Sequence, residues 1–215
     1  MAPPKYTLHY FDMAGRAEPL RLAFAVCGVE FTDRRFARDE WPEVKASGFP
    51  PYGHVPVLEV ETEDGKKEVI AEFSAIMAYI VAAHGAAGGM ARTDPLDIAR
   101  VEEIRSATDA MVSKISPTMW EKDEEKKVAM RAELASTTLP RYLAAIDARL
   151  QDSGYVSGDT LTAADINLEE AVAWLSKGIL DGIPTTIVDA YPRVLKCAAN
   201  VRDHPRVVAW HKSRT

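Results

Sequence analysis

Tyr10 and Arg16 are the residues whose types and placement could do chemistry. They lie in Tyr10-Phe11-Asp12-Met13-Ala14-Gly15-Arg16-Ala17-Glu18-Pro19-Leu20-Arg21-Leu22, where a strand pattern gives way to a helical one. A phenol held at such a junction can donate a hydrogen bond to an anion, a thiolate among them, and the amino end of the following helix adds partial positive charge in the same sense. An ordinary phenol titrates near 10 and keeps its proton at neutral pH, whereas a free thiol near 8.5 is only a few per cent ionised. A charge-assisted bond is worth roughly 1.5 to 3 kcal/mol, enough to lower a thiol's pKa by about one or two units. Two roles are open for Arg16, favouring the thiolate electrostatically or pairing with a local carboxylate. Taken alone, Tyr10 also reads as a half-buried strand former.

The elements that must position these groups follow from local pattern. Tyr6-Thr7-Leu8-His9-Tyr10-Phe11 alternates as a short strand, Pro19 suits a first helical turn, and Leu20, Ala23, Phe24 and Cys27 recur at helical spacing before Gly28 closes the helix. A second strand is expected near Glu30 to Phe36, then an irregular stretch through Trp41 to Gly53. A hairpin follows, with Val55 to Val60 and Glu68 to Ala71 flanking the turn dipeptide Asp64-Gly65. Phe73, Ile76, Met77, Ile80 and Val81 then mark one face of a helix ending at Gly85. This order is that of an α/β thioredoxin-like domain.

Residues 85–94 are glycine-rich and aperiodic, which suits a linker between a domain of residues 1–84 and a second of residues 95–215. Beyond it the strand signals vanish. Helical patterns run from Pro95 to about Ile115, from Glu124 to about Leu150 with an interruption at Pro140, and from Thr162 onward. Thr162-Ala163-Ala164-Asp165 has the form of a capping box.

Composition excludes several classes. A net charge of -6, from 26 basic and 32 acidic residues, leaves no footprint for nucleic acid. Residues 1–20 lack a basic start followed by an apolar run, and nothing approaches the roughly 18 consecutive apolar residues of a membrane span, so a cytoplasmic protein is expected. Cys27 and Cys197 have neither CxxC nor metal-ligand spacing and read as buried thiols. No metal site is expected.

The stretch around Tyr10, the Trp41-Pro42-Glu43-Val44-Lys45 run, Val55-Pro56 and the segment Ser157 to Ile166 together make the chain resemble cytosolic glutathione transferases along almost its whole length. The likeness is closest to the sigma class, which includes the glutathione-dependent prostaglandin D synthases. It implies an α/β thioredoxin-like domain plus an all-α domain, with Tyr10 in the catalytic position and Arg16 beside it. It further implies glutathione as co-substrate, no permanently bound cofactor, and a homodimer. Trp41 and Lys45 match the pair holding the glycyl carboxylate. Val55 matches the main-chain partner of the cysteinyl unit, next to a cis Pro56 and preceded by His54. Glu72 and Phe73 fall where the family binds the γ-glutamyl end, Phe73 standing in place of a serine. The lost hydroxyl would weaken binding by about 0.5 to 1.5 kcal/mol, or up to about 3 if charge-assisted. Asp109, or Ala110 in a register shifted by one, matches an acidic residue that reaches the partner subunit's γ-glutamyl amine. Met13, Met111 and Trp210 are candidates for a hydrophobic substrate. The acidic cluster of metal-activated sigma members is missing, which argues against a magnesium-responsive isomerase. Two functions remain in view: conjugation of glutathione to hydrophobic electrophiles, and a non-catalytic carrier or structural protein such as the lens crystallins of this lineage.

Overall fold

A computed structural model describes residues 3–214. The chain divides into two compact units, one running through Ala91 and rejoined by Ser213 and Arg214, the other Arg92–Lys212. The division falls inside the glycine-rich stretch. The return of Ser213 and Arg214 to the first unit departs from the expectation that the helical part includes them, and Arg214 supplies the reason: its guanidinium lies 3.7 Å from Glu18 and 3.6 Å from Asp33.

In the first unit, β1 (Lys5–Phe11) pairs in parallel with β2 (Thr32–Phe36) and antiparallel with β3 (Val57–Glu61), which pairs antiparallel with β4 (Lys67–Ala71), giving the order β2-β1-β3-β4. Side chains alternate along β1. Tyr6, Leu8 and Tyr10 are buried on one face. There α1 (Glu18–Cys27) and α3 (Phe73–His84) pack together, with Tyr6 against Phe24 of α1 and against Tyr79 and His84 of α3. Gly28 adopts φ +69 and ends α1 with a left-handed cap. Gly85 after α3 is different, since its φ is -59. A side chain at Gly85 would lie 2.5 Å from the Val81 carbonyl oxygen, so close approach rather than a left-handed turn requires glycine there.

The stretch from Trp41 to Gly53 is not wholly irregular. Trp41–Ala46 forms a short helix, α2, on the opposite face of the sheet. Trp41 stacks on Phe36 of β2 at 5.9 Å and meets Phe11 edge-on at 5.3 Å, while Phe49 packs on His9 at 4.6 Å. Aromatic packing therefore holds a helix too short to be stable by propensity.

The second unit is helical: α4 (Pro95–Ile115), α5 (Glu124–Glu133), α6 (Leu139–Arg149), α7 (Ala163–Ser176), α8 (Pro192–Arg202) and α9 (Pro205–Lys212). A π-helical turn at Leu134–Thr138 absorbs the break before Pro140, whose ring occupies the space of an intrahelical hydrogen bond. The core includes Ile104, Met111, Leu139, Leu143, Ile146 and Leu168. Asp165, fully buried, accepts from Thr162 N and Oγ1, Val156 N and the Cys197 thiol, so the capping box forms and also fixes the loop before α7.

Candidate functional site

Tyr10 leaves β1 on its buried face and is 9% exposed. Its Oη accepts a hydrogen bond from the backbone N–H of Arg16 at 3.2 Å. That bond occupies a lone pair and leaves the phenol proton to be donated elsewhere. The loop can come this close because Gly15 has no side chain: its φ is +47, and a Cβ there would lie 2.7 Å from Tyr10 Oη. Gly15–Ala17 form one 3₁₀ turn, and α1 begins at Glu18.

Behind the phenol lies a residue that pattern reading passed over. Arg21 is fully buried, with its guanidinium carbon 5.9 Å from the centre of the Tyr10 ring. Its Nη1 donates to the carbonyls of Met13 and Ala14 and to Glu18, and its Nε donates to Asp33. A charged residue in the apolar run Leu20-Arg21-Leu22 was the available signal. A buried arginine needs acidic partners, and Glu18 and Asp33 supply them.

Arg16 reaches the start of α3, where its guanidinium stacks over the Phe73 ring at 4.8 Å. Phe73 is 4% exposed and begins the helix, so the ring is both core and platform. Glu72 precedes it at φ +73, a conformation that costs a non-glycine residue about 1–3 kcal/mol. Its side chain does not cap the helix but turns to His54, 3.1 Å from carboxylate oxygen to Nε2. His54 is followed by a cis Val55-Pro56 bond, so the pair links that corner to the amino end of α3. Glu72 makes no side-chain hydrogen bond to the first turn of α3, and the N–H groups of a helix's first turn favour a carboxylate.

Trp41 and Lys45 are four residues apart on α2 and share one face. The Lys45 stem runs beside Gly53, with Cε 3.5 Å from where a Cβ of Gly53 would lie. The structure thus brings Tyr10, Arg16 and Phe73 into one chain of contacts, ties His54 to Glu72, and carries Lys45 to the loop that holds His54.

In the helical unit the candidates separate. Asp109 is engaged locally, accepting from Asn167 at 3.4 Å and facing Arg105 at 3.8 Å. Ala110 is half-buried. Met111 is fully buried in the helical core, so the expectation that it lines a substrate surface is corrected: α4 turns it inward among Ile104, Ile115 and Leu168. Trp210 on α9 is half-buried, and Met13 in the first unit is 44% exposed. Trp120, after α4, is 75% exposed and was not singled out by the pattern. Among the described residues no three His, Cys, Asp or Glu side chains cluster as metal ligands, and no helix is long and apolar enough to cross a membrane.

The sheet order, the helices packed on it and the all-helical second unit define a thioredoxin-like domain joined to a helical one. The model of the glutathione S-transferase N-terminal domain matches residues 6–82, and that of the glutathione S-transferase C-terminal domain matches residues 109–214. The chain belongs to the glutathione S-transferase family. Among its relatives, Glutathione S-transferase 1 of Ascaris suum is 30% identical, the alignment covering 98% of this chain and 97% of the relative. Hematopoietic prostaglandin D synthase of Gallus gallus is also 30% identical, with the same shares covered. The solved structure of prostaglandin synthase D of Nilaparvata lugens superposes with a TM-score of 0.83 at 27% identity, covering 98% of both chains.

Proposed function

We propose that this protein conjugates glutathione, through its thiolate, to hydrophobic electrophiles, with Tyr10 as the hydrogen-bond donor that stabilises the thiolate. The observation that carries this reading is the 3.2 Å bond from Arg16 N–H to Tyr10 Oη, which turns the phenol into an oriented donor. The thiol loses its proton to solvent, the thiolate accepts from Tyr10 Oη, and sulfur attacks the electrophilic carbon. With an aryl halide the new carbon–sulfur bond replaces the carbon–halogen bond and halide leaves.

The same reading distributes the tripeptide over the first unit. Trp41 and Lys45 take the glycyl carboxylate through an indole N–H and an ammonium group. The Val55 main chain pairs with the cysteinyl unit. The first-turn N–H of Phe73 takes the γ-glutamyl carboxylate, with Arg16 above the ring, and the Glu72 carboxylate takes the amine in exchange for its contact with His54. Assembly as a homodimer, a role for Asp109 at the partner's site, contributions of Met13 and Trp210 to the electrophile site, and a cytoplasmic location belong to this proposal. So does a reaction needing no bound cofactor.

Replacing Tyr10 by phenylalanine removes one charge-assisted bond. Turnover with an aryl halide is expected to fall about 10- to 100-fold, with glutathione affinity nearly unchanged. Equal turnover in Tyr10→Phe would remove Tyr10 from the mechanism. A second reading, a non-catalytic binding or structural protein, is favoured by Phe73 alone, since its ring occupies the first position of α3 without a hydroxyl. Failure of the native protein to bind immobilised glutathione, or to turn over aryl halides, would select it.

A further inference from the structure

Beneath the Tyr10 loop three carboxylates and three guanidinium groups form a connected cluster. Arg21 pairs with Glu18 and Asp33, and Arg35 pairs with Asp33 and Asp12. Arg214, from the segment after α9, faces Glu18 and Asp33 at 3.7 and 3.6 Å. The side chains of Arg21 and Glu18 are 0% and 8% exposed, so their charges are poorly screened and each needs its counter-charges. Even so, Arg21 Nη2 and Arg35 Nη2 are buried without a hydrogen-bond partner, which makes the cluster sensitive to the charge balance around it.

Contacts run from this cluster to the phenol without a gap. Arg214 faces Glu18 and Asp33, these hold Arg21, and Arg21 holds the Met13 and Ala14 carbonyls. Those carbonyls lead directly into Gly15 and Arg16, whose N–H meets Tyr10 Oη. We propose that Arg214 is a positioning residue for the transfer reaction, latching the segment after α9 onto the Glu18–Asp33–Arg21 cluster and so fixing the loop that orients Tyr10.

The inference rests on the reading of Tyr10 as thiolate donor, and its test separates the two. Without Arg214, two acidic groups share the single buried Arg21 and the neighbouring Arg35, and the hold of Arg21 on the loop carbonyls weakens. The Arg214 side chain is 27% exposed, so its replacement leaves the core intact. Amide hydrogen exchange over residues 12–18 and steady-state kinetics with glutathione and an aryl halide provide independent readouts.

In Arg214→Ala the amides of Gly15 to Ala17 are expected to exchange severalfold faster, and kcat to fall about 3- to 10-fold while KM for glutathione changes less than about 2-fold. Arg214→Lys should restore most of both, and Arg214→Glu should deepen both, because it adds a like charge to the cluster. Unchanged exchange and kcat in Arg214→Ala and Arg214→Glu overturn the inference, even where Tyr10→Phe abolishes turnover and sustains the functional reading. Faster exchange in Arg214→Ala, in a native protein that turns over no aryl halide, sustains the latch and removes the functional reading instead.

Discussion

At Gly15 a single missing methyl group lets the loop close over the Tyr10 phenol. Gly15→Ala would place Cβ 2.7 Å from Tyr10 Oη at a φ of +47, so the loop or the ring must move. The expected result is a fall in turnover comparable to that of Tyr10→Phe, together with a loss of about 1–2 kcal/mol of stability that Tyr10→Phe does not share. Parallel urea titrations and aryl-halide rates distinguish the two variants. At this scale the contact between Tyr10 and the Arg16 backbone lies within reach of sequence reading, because the two are neighbours in the chain, whereas the close approach of Gly15 was not singled out. The stacking of Arg16 on Phe73 and the engagement of Asp109 by Asn167 lie beyond that reach. Each joins distant residues whose meeting depends on the completed fold.

Among the elements, the long helices could be read because their apolar faces repeat over several turns, and α4 spans Pro95–Ile115 as the pattern suggested. The short α2 could not. Six residues with a proline at the second position give no period, and what stabilises them is the stacking of Trp41 on Phe36 across the sheet. Helix α3 presents the sharper test, since Phe73 is buried in packing at the position where the proposed function would have a hydroxyl bind glutathione. Phe73→Ser removes a buried ring and is expected to lower stability by about 3–5 kcal/mol. It should also raise glutathione affinity about 3- to 10-fold, the worth of one added hydrogen bond. Denaturant midpoints and calorimetric titration with glutathione read the two effects separately, and an affinity that stays level would mean the hydroxyl is not what binding lacks.

Over the whole molecule, each unit holds a histidine whose charged form burial disfavours. His9 lies at a cavity of about 320 Å³ beside Phe36, Val44 and Phe49, and its buried Nε2 has no hydrogen-bond partner. Burial lowers its pKa, Arg34 and Lys67 add to the effect, and Glu59 opposes it. In the helical unit His204 is lowered by burial and then by Arg206. A depressed folded-state pKa contributes stability that is present above the unfolded value near 6.5 and is lost as pH falls below it toward the folded value. Urea midpoints should therefore drop between pH 7 and pH 5, and His9→Gln should flatten that slope; an unaltered slope would place its origin in other groups. The return of Arg214 to the first unit left no sign in the sequence, because one ion-pairing arginine in a polar stretch has no local signature. The two cysteines have a consequence at this scale as well. Cys27 is buried with Sγ 3.8 Å from Met90 Sδ, and Cys197 donates to Asp165 while burial, then Asp165, pushes its pKa well up. Neither offers an accessible thiolate, so a disulfide-forming reagent should modify no cysteine in the native protein and both after unfolding. A protein proposed to activate another molecule's sulfur thus keeps its own thiols out of thiol–disulfide exchange while it stays folded.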